Sequence, residues 1–309
     1  MIGTEERLEA EPLGPLRDRE LILVGGAELG FGEHAKPHNT DTIVMAVRWI
    51  SFTTDYGLTD GFVAACHGMI ARLAPEVRVI DVTHLVPPGD VTRGAAVLAQ
   101  TVPSLPLSVH LAVVDPGVGT ARRAIAVEAA DGSLFVGPDN GLLVPAAEAL
   151  GGIRRAVHLT NREWFAPHVS HTFHGRDVFA PVAARLALGA DLTTAGEAVP
   201  DVVRPVPPHV EHTPDGVRAE VLTVDHFGNL QLAATTAPLG GPGTAVSVNG
   251  RPARTGATFG DVGPGELVVL TDSAGHLAVA VNGGSAADRL GSGPGDRITI
   301  MRYDSRSTP

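Results

Sequence analysis

The hydrophobic period of this chain changes once, across a proline-rich stretch at 200–214, and that change limits it to few architectures. Before the stretch, short apolar runs alternate with segments of helical period. Strands are predicted at 49–54, 77–82, 110–114, 124–128 and 134–136. Helices are predicted at 61–73, 90–100, 142–150 and 177–188, with Asp90 as the N-cap of the second. Repeated strand–loop–helix units imply a mainly parallel sheet covered on both faces. After the stretch the period is two, with short strands at 218–224, 230–233, 244–248, 267–271, 277–281 and 297–301. Glycine turns separate them, which suggests a small barrel or sandwich. The expected organisation is an α/β domain at 48–199, a linker at 200–215 and a β domain at 216–303. Residues 1–47 carry nine acids against four bases and read as a disordered extension, with Met45 an alternative start.

Composition excludes several classes. The net charge is −11 and no basic patch is visible, so a nucleic-acid partner is not expected. No apolar run is long enough for a membrane span, and the first residues lack the pattern of a secretory signal. Cys66 is the single cysteine, which allows a reducing, cytoplasmic setting. Lys36 is the only lysine and lies in the extension, so a phosphate-loop lysine or a Schiff base in the folded part is excluded.

Chemistry concentrates at predicted strand ends. In Val113-Val114-Asp115-Pro116-Gly117-Val118-Gly119-Thr120-Ala121-Arg122-Arg123, a buried strand runs into a glycine turn that carries a carboxylate and guanidinium groups. Ligands of open α/β sheets bind at such ends, although an ordinary hairpin with a self-capping Asp fits the same residues. Thr54-Asp55-Tyr56-Gly57, Asp81-Val82-Thr83-His84 and Pro138-Asp139-Asn140-Gly141 are similar clusters. His168, His171 and His174 recur every three residues, a spacing that suits a helical metal site poorly. No metal is expected, and His174 alone is taken as functional. In the β domain, the turn Asp225-His226-Phe227-Gly228-Asn229 offers a ring to stack on a flat base. Gly283 and Gly284 would expose backbone groups to the edge of a purine.

Taken in order, these motifs and Phe173-His174-Gly175-Arg176-Asp177 resemble the S-adenosylmethionine hydroxide adenosyltransferases, relatives of the fluorinase and chlorinase, over residues 50–301. The resemblance implies an α/β domain followed by a β barrel, assembled as a trimer with each ligand between two subunits. It implies an Asp115–Arg122–His174 triad and a ribose-binding Asp55. Asp225, Phe227 and Asn229 would contact the ligand from the barrel, and Ser273 would hold the methionine carboxylate. The arginine that follows that serine in the halogenases is Ala274 here. Halogenases carry tyrosine in place of Asp115, and the fluorinase carries serine in place of Gly175. A carboxylate repels halide and tolerates water.

The implied reaction is hydrolysis of S-adenosylmethionine to adenosine and L-methionine, without a cofactor. Two alternatives are a halide-using transferase of the same fold and a protein that binds the ligand without turnover.

Overall fold

The computed structural model describes residues 47–303; residues 1–46 of the expected extension, Met45 among them, lie outside the described residues. The α/β part contains β1 (Trp49–Thr54), α1 (Phe62–Leu73), β2 (Arg78–Thr83), α2 (Val91–Thr101), β3 (Val109–Val113), β4 (Ala124–Ala129), β5 (Leu134–Pro138), α3 (Val144–Ala149), β6 (Ile153–Leu159), α4 (Ala180–Ala187) and β7 (Gly196–Ala198). Asp90 caps α2 as expected, its side chain accepting from the Arg93 N–H.

The sheet order is β2-β1-β3-β5-β4-β6-β7. β2, β1, β3 and β5 pair in parallel, whereas β4 is antiparallel to both β5 and β6, and β7 is antiparallel to β6. Five strands therefore run one way and β4 and β7 the other, a mainly parallel sheet. β5 lies between β3 and β4, so the Asp115 turn is a crossover and not the hairpin that the residues also allowed.

Alternation along the strands divides the side chains between two apolar layers. Ile50, Phe52, Leu111 and Val113 pack with Cys66 and Ile70 of α1 and with Val182 and Leu186 of α4. Ala112, Val114, Ile125 and Phe135 pack on the other face with Leu98 of α2 and Ala146 of α3. Phe52, Phe135 and Phe179 are fully buried, and removing one such ring costs about 3–5 kcal/mol. This covered sheet is the rigid base for loops at the ends of β1 and β3.

The second part contains β8 (Val210–Thr213), β9 (Gly216–Val224), β10 (Leu230–Leu232), β11 (Ala245–Val248), β12 (Arg251–Thr255), β13 (Leu267–Thr271), β14 (Leu277–Val281), α5 (Ala286–Leu290) and β15 (Arg297–Arg302). The strands follow the order β10-β14-β13-β12-β11-β15-β9, and a β9–β10 pairing closes the ring into a seven-stranded barrel. Closure leaves no edge within the ring, which resolves the barrel-or-sandwich alternative. Val217, Val246, Val269, Val279 and Ile300 fill the barrel interior. β8 adds to β9 outside the ring, so the final residues of the expected linker form a strand.

Candidate active site

The Asp115 turn is shaped by close approaches. Thr120 donates from its N–H and its Oγ1 to the Gly117 carbonyl, which closes the turn. Gly119 has φ +76°, and a Cβ there would lie 2.4 Å from the His171 carbonyl oxygen. Glycine therefore lets this turn pack against the loop that carries His171 and His174. At the strand end, Asn140 Nδ2 donates to the Val114 carbonyl (2.9 Å) and steadies the residue before Asp115.

Folding brings Asp115, Arg122 and His174 together. Arg122 Nε donates to Asp115 Oδ1 at 3.0 Å, and Arg122 Nη2 donates to Asp115 Oδ2. Such a bidentate pair fixes both groups in one plane. Arg122 Nη2 also lies 3.2 Å from His174 Nδ1, and the guanidinium carbon sits 5.4 Å from the centre of the Phe179 ring. The fourth guanidinium direction is open: Arg122 Nη1 is buried and has no partner among the described residues. Burial, followed by the Arg122 charge, holds the His174 pKa below the ordinary histidine value, so the ring is neutral at pH 7. Arginine cannot accept a hydrogen bond, so neutral His174 presents its Nδ1 lone pair to Arg122 and carries its proton on Nε2.

A cavity of about 250 Å³ opens over Asp115 and His174, lined also by Asp55, Tyr56, Gly89, Val113, Pro116, Val118, Thr172 and Gly175. Asp55 accepts from the Gly89 N–H at 2.8 Å, which aligns its carboxylate at the rim. Tyr56 is largely buried, and that burial raises its phenol pKa, so it stays protonated. A Cβ on Gly175 would lie 2.0 Å from Tyr56 Oη. The absence of a side chain at 175 therefore makes room for Tyr56. Tyr56 also packs on Phe173, which packs on Phe62 and lies under the Arg176 guanidinium.

The other clusters have different places. Asp139 braces the start of the linker: it binds Arg123 and accepts from the Val203 N–H at 2.8 Å. Asp81 and His84 meet His67 on the other side of β1. Gly89 and Thr172 were not singled out from sequence; Gly89 carries a signal only in hindsight, next to the capping Asp90. His168 and His171 do not line the cavity.

Residues expected from the barrel side do not line this cavity either. Asp225 Oδ1 accepts from the N–H groups of Phe227 and Asn229, both at 2.9 Å, and Oδ2 accepts from Asn229 Nδ2 at 2.7 Å. The turn packs on the first turn of α5, where a Cβ on Gly228 would meet Ser285 Oγ at 2.3 Å. Phe227 is 74% exposed. Gly283 (φ +75°) and Ser273 are exposed, on the turns at the two ends of β14.

A covered α/β sheet with a charged triad at its strand ends, followed by a closed barrel, defines a two-domain class of small-molecule enzymes. The S-adenosylmethionine hydroxide adenosyltransferase N-terminal domain matches residues 50–196, and the C-terminal domain of the same family matches 219–299. A relative from Salinispora tropica, named (R)-S-adenosyl-L-methionine hydrolase, is 68% identical over 254 residues, 82% of this chain and 97% of the relative. An uncharacterised conserved protein from Thermotoga maritima, known from a crystal structure, superposes with a TM-score of 0.77 at 38% identity, covering 81% of this chain and 99% of that one. A fluorinase from an Actinoplanes species is more distant, at 30% identity over 290 residues, 82% of this chain and 97% of the fluorinase. The chain belongs to the S-adenosylmethionine hydroxide adenosyltransferase family. No helix among the described residues is long and apolar enough to cross a membrane.

Proposed function

We propose that this chain hydrolyses S-adenosyl-L-methionine to adenosine and L-methionine, with Asp115, Arg122 and His174 acting on one water. The observation that carries the reading is the three-way contact at Arg122, which holds Asp115 and His174 together at the wall of a cavity. The substrate named for the Salinispora tropica relative is the (R) sulfonium isomer, and we extend that preference to this chain.

Water attacks the ribose 5′ carbon in line with sulfur. The C–S bond breaks, its electron pair stays on sulfur, and methionine leaves as a neutral thioether. The leaving group needs no proton, so the catalytic problem is the nucleophile. Each Asp115 oxygen gives one acceptor site to Arg122 and keeps another for the water. Asp115 takes the proton released on attack. His174 Nε2–H is the donor that holds the oxygen, and the Arg122 charge stabilises the developing hydroxide. Asp55 holds the ribose hydroxyls. Fixing water and 5′ carbon in one cavity supplies the orientation the reaction needs. The chemistry calls on no cofactor, and turnover persists in excess chelator.

The barrel-side contacts, Asp225, Phe227, Asn229, Ser273 and Gly283, come from a neighbouring subunit in a homotrimer. Supporting this are exposed apolar side chains on both parts, Leu58 and Phe62 on the α/β domain and Phe227 on the barrel. With Ala274 after Ser273, the methionine carboxylate is held by Ser273 and turn amides. The cytoplasm is the setting that suits a free buried Cys66 and this substrate.

Incubating the protein with each sulfonium isomer in ¹⁸O-water with added chloride tests the reading. The expected result is equimolar adenosine and methionine from the (R) isomer, with the label in the 5′-hydroxyl. A 5′-halo-adenosine would support the transferase alternative, and unchanged ligand the binding-only alternative.

A further inference from the structure

His67 on α1, Asp81 on β2 and His84 just after it place three ligand atoms within 4.8 Å of one another. His67 Nε2 lies 2.9 Å from Asp81 Oδ1, and His84 Nε2 lies 3.0 Å from the same oxygen. The Phe52 ring, fully buried, packs edge-on against both imidazoles, with centroids 5.7 Å from His67 and 4.8 Å from His84. Both rings are thus oriented by the core rather than by solvent.

The second observation is at His84, whose side chain is 4% exposed. Its Nδ1 is engaged by Thr54 Oγ1 at 2.9 Å. Its Nε2 is buried without a hydrogen-bond partner: the Asp81 oxygen is near but off the direction an N–H would take. With the proton on Nδ1, Nε2 keeps an unshared lone pair 3.0 Å from a carboxylate oxygen. Two electron-rich atoms at that separation repel unless a cation stands between them. A metal-bound imidazole is oriented by a hydrogen bond from its far ring nitrogen, usually to a carboxylate, carbonyl or water, and here the Thr54 hydroxyl takes that place.

We propose that His67, Asp81 and His84 form a binding site for a divalent transition metal, Zn²⁺ foremost. Two imidazoles and one carboxylate are a donor set that Zn²⁺ accepts, with a fourth position open to water. Bonds of about 2.0–2.1 Å require each imidazole nitrogen to move away from the Asp81 oxygen by only a few tenths of an ångström. The ion ties α1 to the end of β2. Through His84 and Thr54 it also steadies the strand end that carries Asp55, since Thr54 Oγ1 accepts from the Tyr56 N–H and the His84 carbonyl accepts from the Gly57 N–H. Its role is to brace the fold, apart from the chemistry at Asp115.

The test is titration of the untagged, metal-stripped full chain with zinc chloride, read by calorimetry, and with cobalt chloride, read by visible absorption. One ion per chain is expected, with a tetrahedral cobalt spectrum. Zinc at a hundredfold excess over Kd should raise Tm by roughly 5–10 °C. His67→Gln lies on a partly exposed helix face and leaves the core intact. It should weaken binding by more than the roughly 10–100-fold that losing an outer partner costs, and Asp81→Asn should do the same. Both should abolish the Tm shift. Absence of binding at millimolar zinc, or equal binding by wild type and the two variants, would overturn the proposal.

Discussion

Asp115 and Asp225 both follow a strand, β3 and β9, and both head a tight turn, but their carboxylates are used differently. Asp115 is joined to a guanidinium seven residues away, and Arg122 is joined in turn to His174 on another loop. The acceptor sites left on Asp115 face a cavity. Asp225 spends its oxygens on its own turn, on Phe227, on Asn229 and on the Asn229 side chain. One carboxylate joins side chains from distant parts of the chain, whereas the other builds a rigid turn that presents an exposed ring. On the proposed reading, the α/β side does the chemistry and the barrel side the recognition.

The largest expected effect breaks the first half of this contrast. Asp115→Ala, Arg122→Ala and His174→Ala should each lower turnover by roughly a hundredfold or more, the range of general acid–base catalysis. Double variants should fall little further, because groups acting as a unit are non-additive. Affinity for S-adenosylmethionine should change much less, and Asp55→Ala should lose affinity first. If the pair only braces its turn, the same substitutions lower Tm and spare turnover. Turnover, Kd and Tm on the four variants separate the two.

Phe227→Ala sharpens the second half. Loss of a stacking ring should weaken binding by about tenfold or more and leave Tm nearly unchanged, because the ring is exposed. Chains carrying Asp115→Ala and chains carrying Phe227→Ala, refolded together, should regain activity. Random association in a closed ring leaves about a quarter of the subunit boundaries intact on both sides. No recovery, or a fully active monomer in sedimentation, would sink the shared site.

Much of this contrast was legible in the sequence, and the exceptions have physical causes. Strand-end motifs marked the triad because short β-branched runs and Gly turns are local signals. β6 was not seen, since Arg154 and Arg155 interrupt its pattern; both reach the Glu128 carboxylate on β4. β12 was hidden by Arg251, Pro252 and Arg254, and β7 by its three-residue length. The insertion of β5 between β3 and β4 is a tertiary choice that no turn residue encodes. The first turn of the helix expected at 177–188 is a π-type segment, Gly175–Phe179, leading into α4. The meeting of His67 with Asp81 and His84 likewise depends on how α1 lies against β2.

Gly175→Ser is the next smaller effect and probes what the α/β side needs. The new Cβ would meet Tyr56 Oη at 2.0 Å, so the tyrosine must move. The expected cost is about 1–3 kcal/mol of stability, as for overpacking elsewhere, with turnover reduced in the folded fraction. Wild-type Tm and turnover would show instead that Tyr56 has no fixed place in the cavity wall.

The smallest effect separates a histidine that works from one that only packs. Neutral His174 is needed to donate from Nε2 and accept from Arg122, so turnover should fall when it is protonated. Its pKa is held down by burial and by Arg122, so the acid limb of kcat should lie below the ordinary histidine value of about 6.5. Asp115 acts in the opposite sense on this ring, so Asp115→Asn should move the limb further to acid, and Arg122→Gln should move it back. His110, on β3, is nearly inaccessible; it bonds Ser51 at 2.7 Å and packs on Phe135. Burial lowers its pKa to about 4. The unfolded chain binds that proton at about pH 6.5, so the neutral ring contributes stability above that value and loses it as pH falls toward 4. Urea midpoints for His110→Gln should therefore decline less steeply than wild type between pH 6.5 and 4, while its acid limb of turnover stays in place. A parallel decline in both proteins would show that other groups carry the acid sensitivity of the fold.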